Sequence, residues 1–152
     1  MAEIVANKFK IAIAATPDLK NCYQKGLDAL GSNKAKVILA EPEDCDGSAE
    51  IDECVRLKYA GAERWDYCFS YKGETYFAEV HRAYENDIGL VLKKLRWLKN
   101  WLVSDAPEIH KLRAKGPYFW LPTGKCGFSQ TSSHARRIAL QGLKLVAKLE
   151  LN

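Results

Sequence analysis

No run of about 18 apolar residues occurs anywhere in the 152-residue chain, so no membrane partner is expected. The N-terminus also lacks a basic stretch leading into an apolar segment and a small-residue cleavage site, and a cytoplasmic protein is the resulting expectation. Cysteines are few and odd in number: five, at 22, 45, 54, 68 and 126, with no C-x-x-C pair. This argues against a disulfide framework and suits a reducing compartment. A zinc site built from Cys45, Cys54 and His81 would match no common ligand spacing. Other signatures are missing too. There is no Gly-x-Ser-x-Gly element and no paired cysteine–histidine arrangement. Asp44 and Asp46 lack the downstream glycine and glutamate of a calcium loop. No internal repeat or low-complexity tail is visible.

The residues that are present suit one globular domain over 1–152, with 47% hydrophobic and 28% charged residues. The net charge of +4 is uneven: residues 81–152 carry 13 Lys/Arg against 5 Asp/Glu, while residues 1–80 carry 10 against 14. Such a split can give the molecule one side that attracts a polyanion.

Alternation in Asn7-Lys-Phe-Lys-Ile-Ala-Ile-Ala14 predicts a strand. Thr16-Pro17 then starts a helix ending at Leu30, before Gly31. Lys36–Ala40 reads as a short strand, followed by an acidic loop and a short helix over about 49–59. A hairpin occupies about 64–82. Asn86-Asp87 caps a helix to about Val103, with Ile88, Val91, Leu92, Leu95, Leu98 and Leu102 in one stripe that Leu90, Trp97 and Trp101 broaden. The breadth of that apolar face raises the prospect of a homodimer. A strand over 118–121 and a final helix from about Ser132 to Leu149 complete an α/β chain.

The hairpin carries the chemistry. A turn at Lys72-Gly73 pairs Tyr71 with Glu74, and the same register sets Asp66 opposite Glu79. Like charges opposed across two strands cost stability. One hard divalent cation, Mg²⁺ or Mn²⁺, would offset that cost and take oxygen ligands from Asp66, Glu79 and the carbonyl of Val80. His81 follows Glu79 at same-face spacing, where it could deprotonate water or meet developing negative charge. The plain alternative is a set of surface ion pairs, Asp66 with Arg64 and Glu79 with His81.

Asp66 followed by Glu79-Val80-His81 resembles the active-site hairpin of the PD-(D/E)xK nuclease superfamily. The resemblance covers about residues 48–140, where helix, hairpin, helix and strand fall in the family's order. It implies a restriction-endonuclease-like fold, a central mixed sheet flanked by helices, and Mg²⁺-dependent cleavage of DNA ahead of RNA. By the same resemblance Asp66 and Glu79 are metal ligands, His81 stands where the family has lysine, and an acid of the preceding helix, Glu50 or Glu53, joins the site. His for Lys replaces a permanent cation with a mostly neutral ring. That departure keeps two alternatives open: an inactive nuclease-like nucleic-acid-binding protein, and a dimeric interaction module with no chemistry.

Phosphate contacts are expected from Lys125, His134, Arg136 and Arg137, the last three near the start of the final helix. Lys125, in Pro122-Thr123-Gly124-Lys125, belongs to no Walker loop, because the upstream glycine and the following Ser/Thr are absent. Contacts of this kind would position a backbone without reading its bases.

Overall fold

Both faces of the central sheet are apolar, so both need cover. In the computed structural model, which describes residues 6–152, five strands form this sheet. The first five residues of the expected 1–152 domain lie outside the described residues. The first strand of the chain is β1 (Val37–Leu39), which belongs to a smaller sheet. The central sheet comprises β2 (Cys45–Glu50), β3 (Tyr67–Tyr71), β4 (Glu74–His81), β5 (Arg113–Pro122) and β6 (Leu143–Leu145), adjacent in that order. The first three are antiparallel, while β5 runs parallel to β4 and β6 parallel to β5. The last strand, β7 (Leu149–Leu151), pairs in parallel with β1. The chain is therefore a single α/β domain with a mixed sheet and flanking helices.

The hairpin forms in the expected register, with Tyr71 facing Glu74, Phe69 facing Tyr76 and Tyr67 facing Ala78. Lys72 and Gly73 both take positive φ, 51° and 80°, the requirement of a tight type I′ turn. After β4 the chain crosses over the sheet through α3 (Ile88–Ser104) and returns as β5. Phe77, Cys68 and Trp120 on that face pack with Val91, Leu95, Leu98 and Leu102 of α3. On the opposite face Phe69, Ala78, Phe119 and Leu121 pack with Leu30, Val37 and Leu149. Each fully buried Val, Leu or Phe among these contributes roughly 1.5–3 kcal/mol by burial.

Several expectations are corrected. Residues 7–14 are helical, not extended: α1 (Lys8–Ala15) is capped by Asn7, whose side chain accepts from the Lys10 amide at 2.9 Å. Phe9, Ile11 and Ile13 alternate, but Phe9, Ala12 and Ile13 also share one helical face, and these are the buried ones while Ile11 is 60% exposed. The helix expected over 16–30 is absent. A 3₁₀ turn, Pro17–Leu19, is followed by irregular chain and then 3₁₀ geometry over Asp28–Lys36, kinked at Gly31.

The acidic loop contains a strand, β2, whose Cys-Asp-Gly-Ser-Ala-Glu composition hides it. Its pairing with β3 compensates for weak propensity. Gly47 there has φ 139°, and a Cβ would fall 2.3 Å from the Tyr23 ring, so only glycine fits. Asp46 accepts from Ser70 Oγ and the Gly73 amide, tying β2 to the hairpin turn. The following helix is short, α2 (Ile51–Val55). Another short helix, α4 (Pro107–Lys111), lies in the charged link before β5. The terminal helix, α5 (Ser133–Leu140), stops nine residues early, with Gly142 at φ 80°, and the remaining leucines build β6 and β7.

Trp101 is buried, donating its indole N–H to Asp18 Oδ2 at 3.0 Å, and stacks on Trp97. It is packed within the chain, so the apolar width of α3 at Trp101 is covered internally. No helix among the described residues is long and apolar enough to cross a membrane.

Cys22 and Cys54 form a disulfide across 32 residues of sequence, against the expectation that disulfides play no part in the fold. An odd count had concealed one pair and three free thiols. Disulfides persist in oxidising surroundings, so the cysteine pattern no longer supports a reducing compartment, and Cys54 is not available to zinc. Reduction is expected to lower unfolding stability by about 2–4 kcal/mol, read as a drop in denaturation midpoint with reductant. Cys22→Ser/Cys54→Ser should show the lower midpoint with or without it. Five alkylatable thiols in unreduced, denatured protein would sink the assignment.

Candidate functional site: two carboxylates and a helix lysine

Asp66 enters β3 and Glu79 lies near the end of β4, so antiparallel pairing brings them to the same end of the hairpin. They also interlock through the backbone. Glu79 Oε1 accepts from the Asp66 amide at 3.1 Å, and Asp66 Oδ2 accepts from the Val80 amide at 3.0 Å. Val80 thus offers its N–H to the site. Glu79 is fully buried, whereas Asp66 is half-buried.

The cation comes from α3. Lys94 Nζ donates to Glu79 Oε2 at 2.7 Å, with its side chain 16% exposed. Val91, Lys94, Leu95 and Leu98 follow i, i+3, i+4, i+7 spacing, so Lys94 lies on the flank of the buried stripe and its ammonium reaches the sheet. In the sequence this shows as a lysine flanking the apolar stripe, a pattern that does not name the partner the lysine meets. The helix start is tied to the strand carrying Glu79: Asp87 accepts from the Tyr84 amide and from both Nε and Nη2 of Arg82. Arg82 holds the Asp87 carboxyl down at about 2.

Burial, and then the charge of Asp66, push the Glu79 carboxyl up to about 8 against the opposing pull of Lys94. Burial likewise raises Asp66, opposed by Lys94. For Lys94 itself, burial would lower the value, but the Glu79 carboxylate outweighs it and the net shift is upward. Two carboxylates therefore share one ammonium in a poorly solvated place.

The other expected site residues are dispersed. The His81 ring sits 2.7 Å from the Arg82 carbonyl through Nδ1 and bonds neither carboxylate. Arg64 pairs with Asp52 at 2.7 Å, not with Asp66. Glu50 ends β2 opposite Tyr67 and is not helical; burial and then Glu53, Asp52 and Asp66 raise its carboxyl. Glu53 points to Arg56. The acid of α2 held against the hairpin is Asp52, whose amide donates to the Asp66 carbonyl at 3.3 Å. Lys125, Arg136 and Arg137 are exposed, and His134 lies 3.5 Å from Glu85. None of these four contacts Asp66 or Glu79. Among the described residues no three His, Cys, Asp or Glu side chains come together as a metal cluster.

Comparison of the chain with protein-family models, curated proteins and solved structures returned no match.

Glu79 yields a prediction about pH. Between about 4.5 and 8 the folded chain holds a proton there that the unfolded chain has released, so this group makes stability fall as pH rises. Its full contribution is present below about pH 4.5 and is lost through pH 8. Melting temperatures from pH 5 to 9 should therefore fall more steeply for the wild type than for Glu79→Gln. Parallel profiles would refute the raised carboxyl.

Proposed function

We propose that the protein is a divalent-metal-dependent phosphodiesterase of the restriction-endonuclease-like, PD-(D/E)xK type, acting on DNA ahead of RNA. The observation that carries this reading is the convergence of Asp66, Glu79 and Lys94 at one end of the hairpin, with Lys94 2.7 Å from Glu79. Three antiparallel strands, a crossover helix and a parallel strand give further support through their order.

The donor set suits a hard cation. Once Glu79 is ionised, two carboxylates against one ammonium leave a negative charge uncompensated, and oxygen donors are what Mg²⁺ and Mn²⁺ take. Asp66 and Glu79 would hold the ion. When bound it would polarise the phosphodiester and lower the pKa of an attacking water. Both Glu79 oxygens are already engaged, by the Asp66 amide and by Lys94. Loading therefore requires Glu79 to be deprotonated and Lys94 to yield Oε2. Once released, Lys94 becomes a permanent cation for the phosphate, the role the strand position of His81 fills poorly. His81 then serves at the margin of the site rather than in the proton transfer.

The complete burial of Glu79 favours a second reading, in which Glu79–Lys94 is an internal ion pair of an inactive nuclease-like binding protein. One assay separates the two. Purified protein is incubated with single- and double-stranded DNA and RNA, with Mg²⁺, Mn²⁺ or chelator. Cleavage should require metal, disappear in Asp66→Asn and Glu79→Gln, and fall at least about 100-fold in Lys94→Ala, while His81→Ala stays within a few-fold. Mg²⁺ should also raise the melting temperature more at pH 8.5 than at pH 6, but not in Asp66→Asn. Intact substrates under every metal, with no metal-dependent shift in melting, would discard the catalytic reading in favour of the second.

A further inference from the structure

Four cations of the basic half of the chain meet on the outer side of α3. A groove of about 360 Å³ runs between α3 and α5, lined by Lys93, Arg96, Lys99 and Asn100 on one wall and Arg137 and Gln141 on the other. No carboxylate lines it among the described residues. Among the described residues Lys93, Arg96 and Arg137 form no ion pair. Lys99 closes one end, its ammonium bonded to the Gln141 carbonyl at 2.8 Å and set over the Tyr118 ring. A concave surface with four cations and no counter-charge is poorly compensated by itself. It is complementary to an anion.

The spacing points to a repeating anion. Lys93, Arg96 and Lys99 recur every third residue and span about 9 Å of the helix wall that runs from Gly89 to Asn100. Arg137 faces this row with a fork suited to phosphate oxygens, and the Asn100 and Gln141 amides add neutral donors. Lys94 leaves α3 toward Glu79, whereas its neighbours Lys93 and Arg96 line the groove on the other side. The groove is thus separate from the carboxylates.

We propose that the α3/α5 groove binds the sugar–phosphate backbone of a nucleic acid and anchors it at a distance from the Asp66/Glu79 site. This deepens the phosphodiesterase reading and rests on it for the class of partner, but anchoring requires no cleavage. Contacts of this kind are sequence-independent and steeply salt-dependent.

The test is fluorescence anisotropy of labelled DNA with full-length protein in chelator, across a salt series. The triple variant Lys93→Gln/Arg96→Gln/Arg137→Gln is compared with Lys8→Gln/Lys20→Gln/Lys148→Gln, which removes equal charge elsewhere. The groove variant should bind at least about tenfold more weakly, with a log–log salt slope shallower by about 2–3. The control should change by less than about twofold. Arg96→Gln/Arg137→Gln provides a milder variant if the triple one melts early. Wild-type affinity in the groove variants, equal weakening in the control, or no DNA binding by the wild type would overturn the proposal. So would competition by poly-glutamate as strong as that by DNA at matched charge, which would indicate an acidic protein partner. Groove-dependent binding without cleavage under any metal would leave the anchor standing and remove the catalytic reading alone.

Discussion

A two-residue turn sets the register of β3 against β4, and the interior depends on that register. Lys72 and Gly73 pair Tyr71 with Glu74. Cys68 and Phe77 are thereby committed to the α3 face, and Phe69 and Ala78 to the other. A slip of one residue would exchange those faces along the slipped strand and separate Glu79 from Asp66. Burial of Glu79 also needs β5, which sets Trp120 beside it, and α3, which lies above it.

The electrostatics follow from this packing. A carboxylate taken from water is costly unless paired and hydrogen-bonded. Here the compensation is one backbone amide and one ammonium, while a second carboxylate stands close by. The strand end that carries Glu79 also fixes the helix that carries Lys94, through Arg82 and Asp87. Strand, turn and helix are thus positioned as one piece, and the relation between Glu79 and Lys94 does not depend on a mobile loop.

How much was legible in the sequence varied with the kind of signal. The hairpin and α3 could be read because a turn dipeptide and a long apolar stripe each admit few conformations. Asp66 and Glu79 could be read because strand pairing converts sequence position into proximity. Lys94 could not be assigned from spacing alone, since a lysine beside an apolar stripe usually snorkels to water and only the sheet beneath it supplies Glu79. Asp52 was hidden among other acids, and its selection over Glu50 and Glu53 came from the short α2 beginning one residue after β2. The misassigned α1 carries both periodicities at once, and β2 has a composition that would be irregular without β3 beside it.

By itself the sequence determined the hairpin register, the paired acids, the crossover helix and the basic bias of the C-terminal half, because each is a local pattern with a short-range physical cause. Only the tertiary structure decided which cation meets Glu79, which cysteines join and which basic residues face one another. These are meetings between segments distant in the chain, made by the packing of α3 on the sheet, of α5 beside α3 and of α2 against the Pro17–Leu19 turn, and no periodicity encodes them.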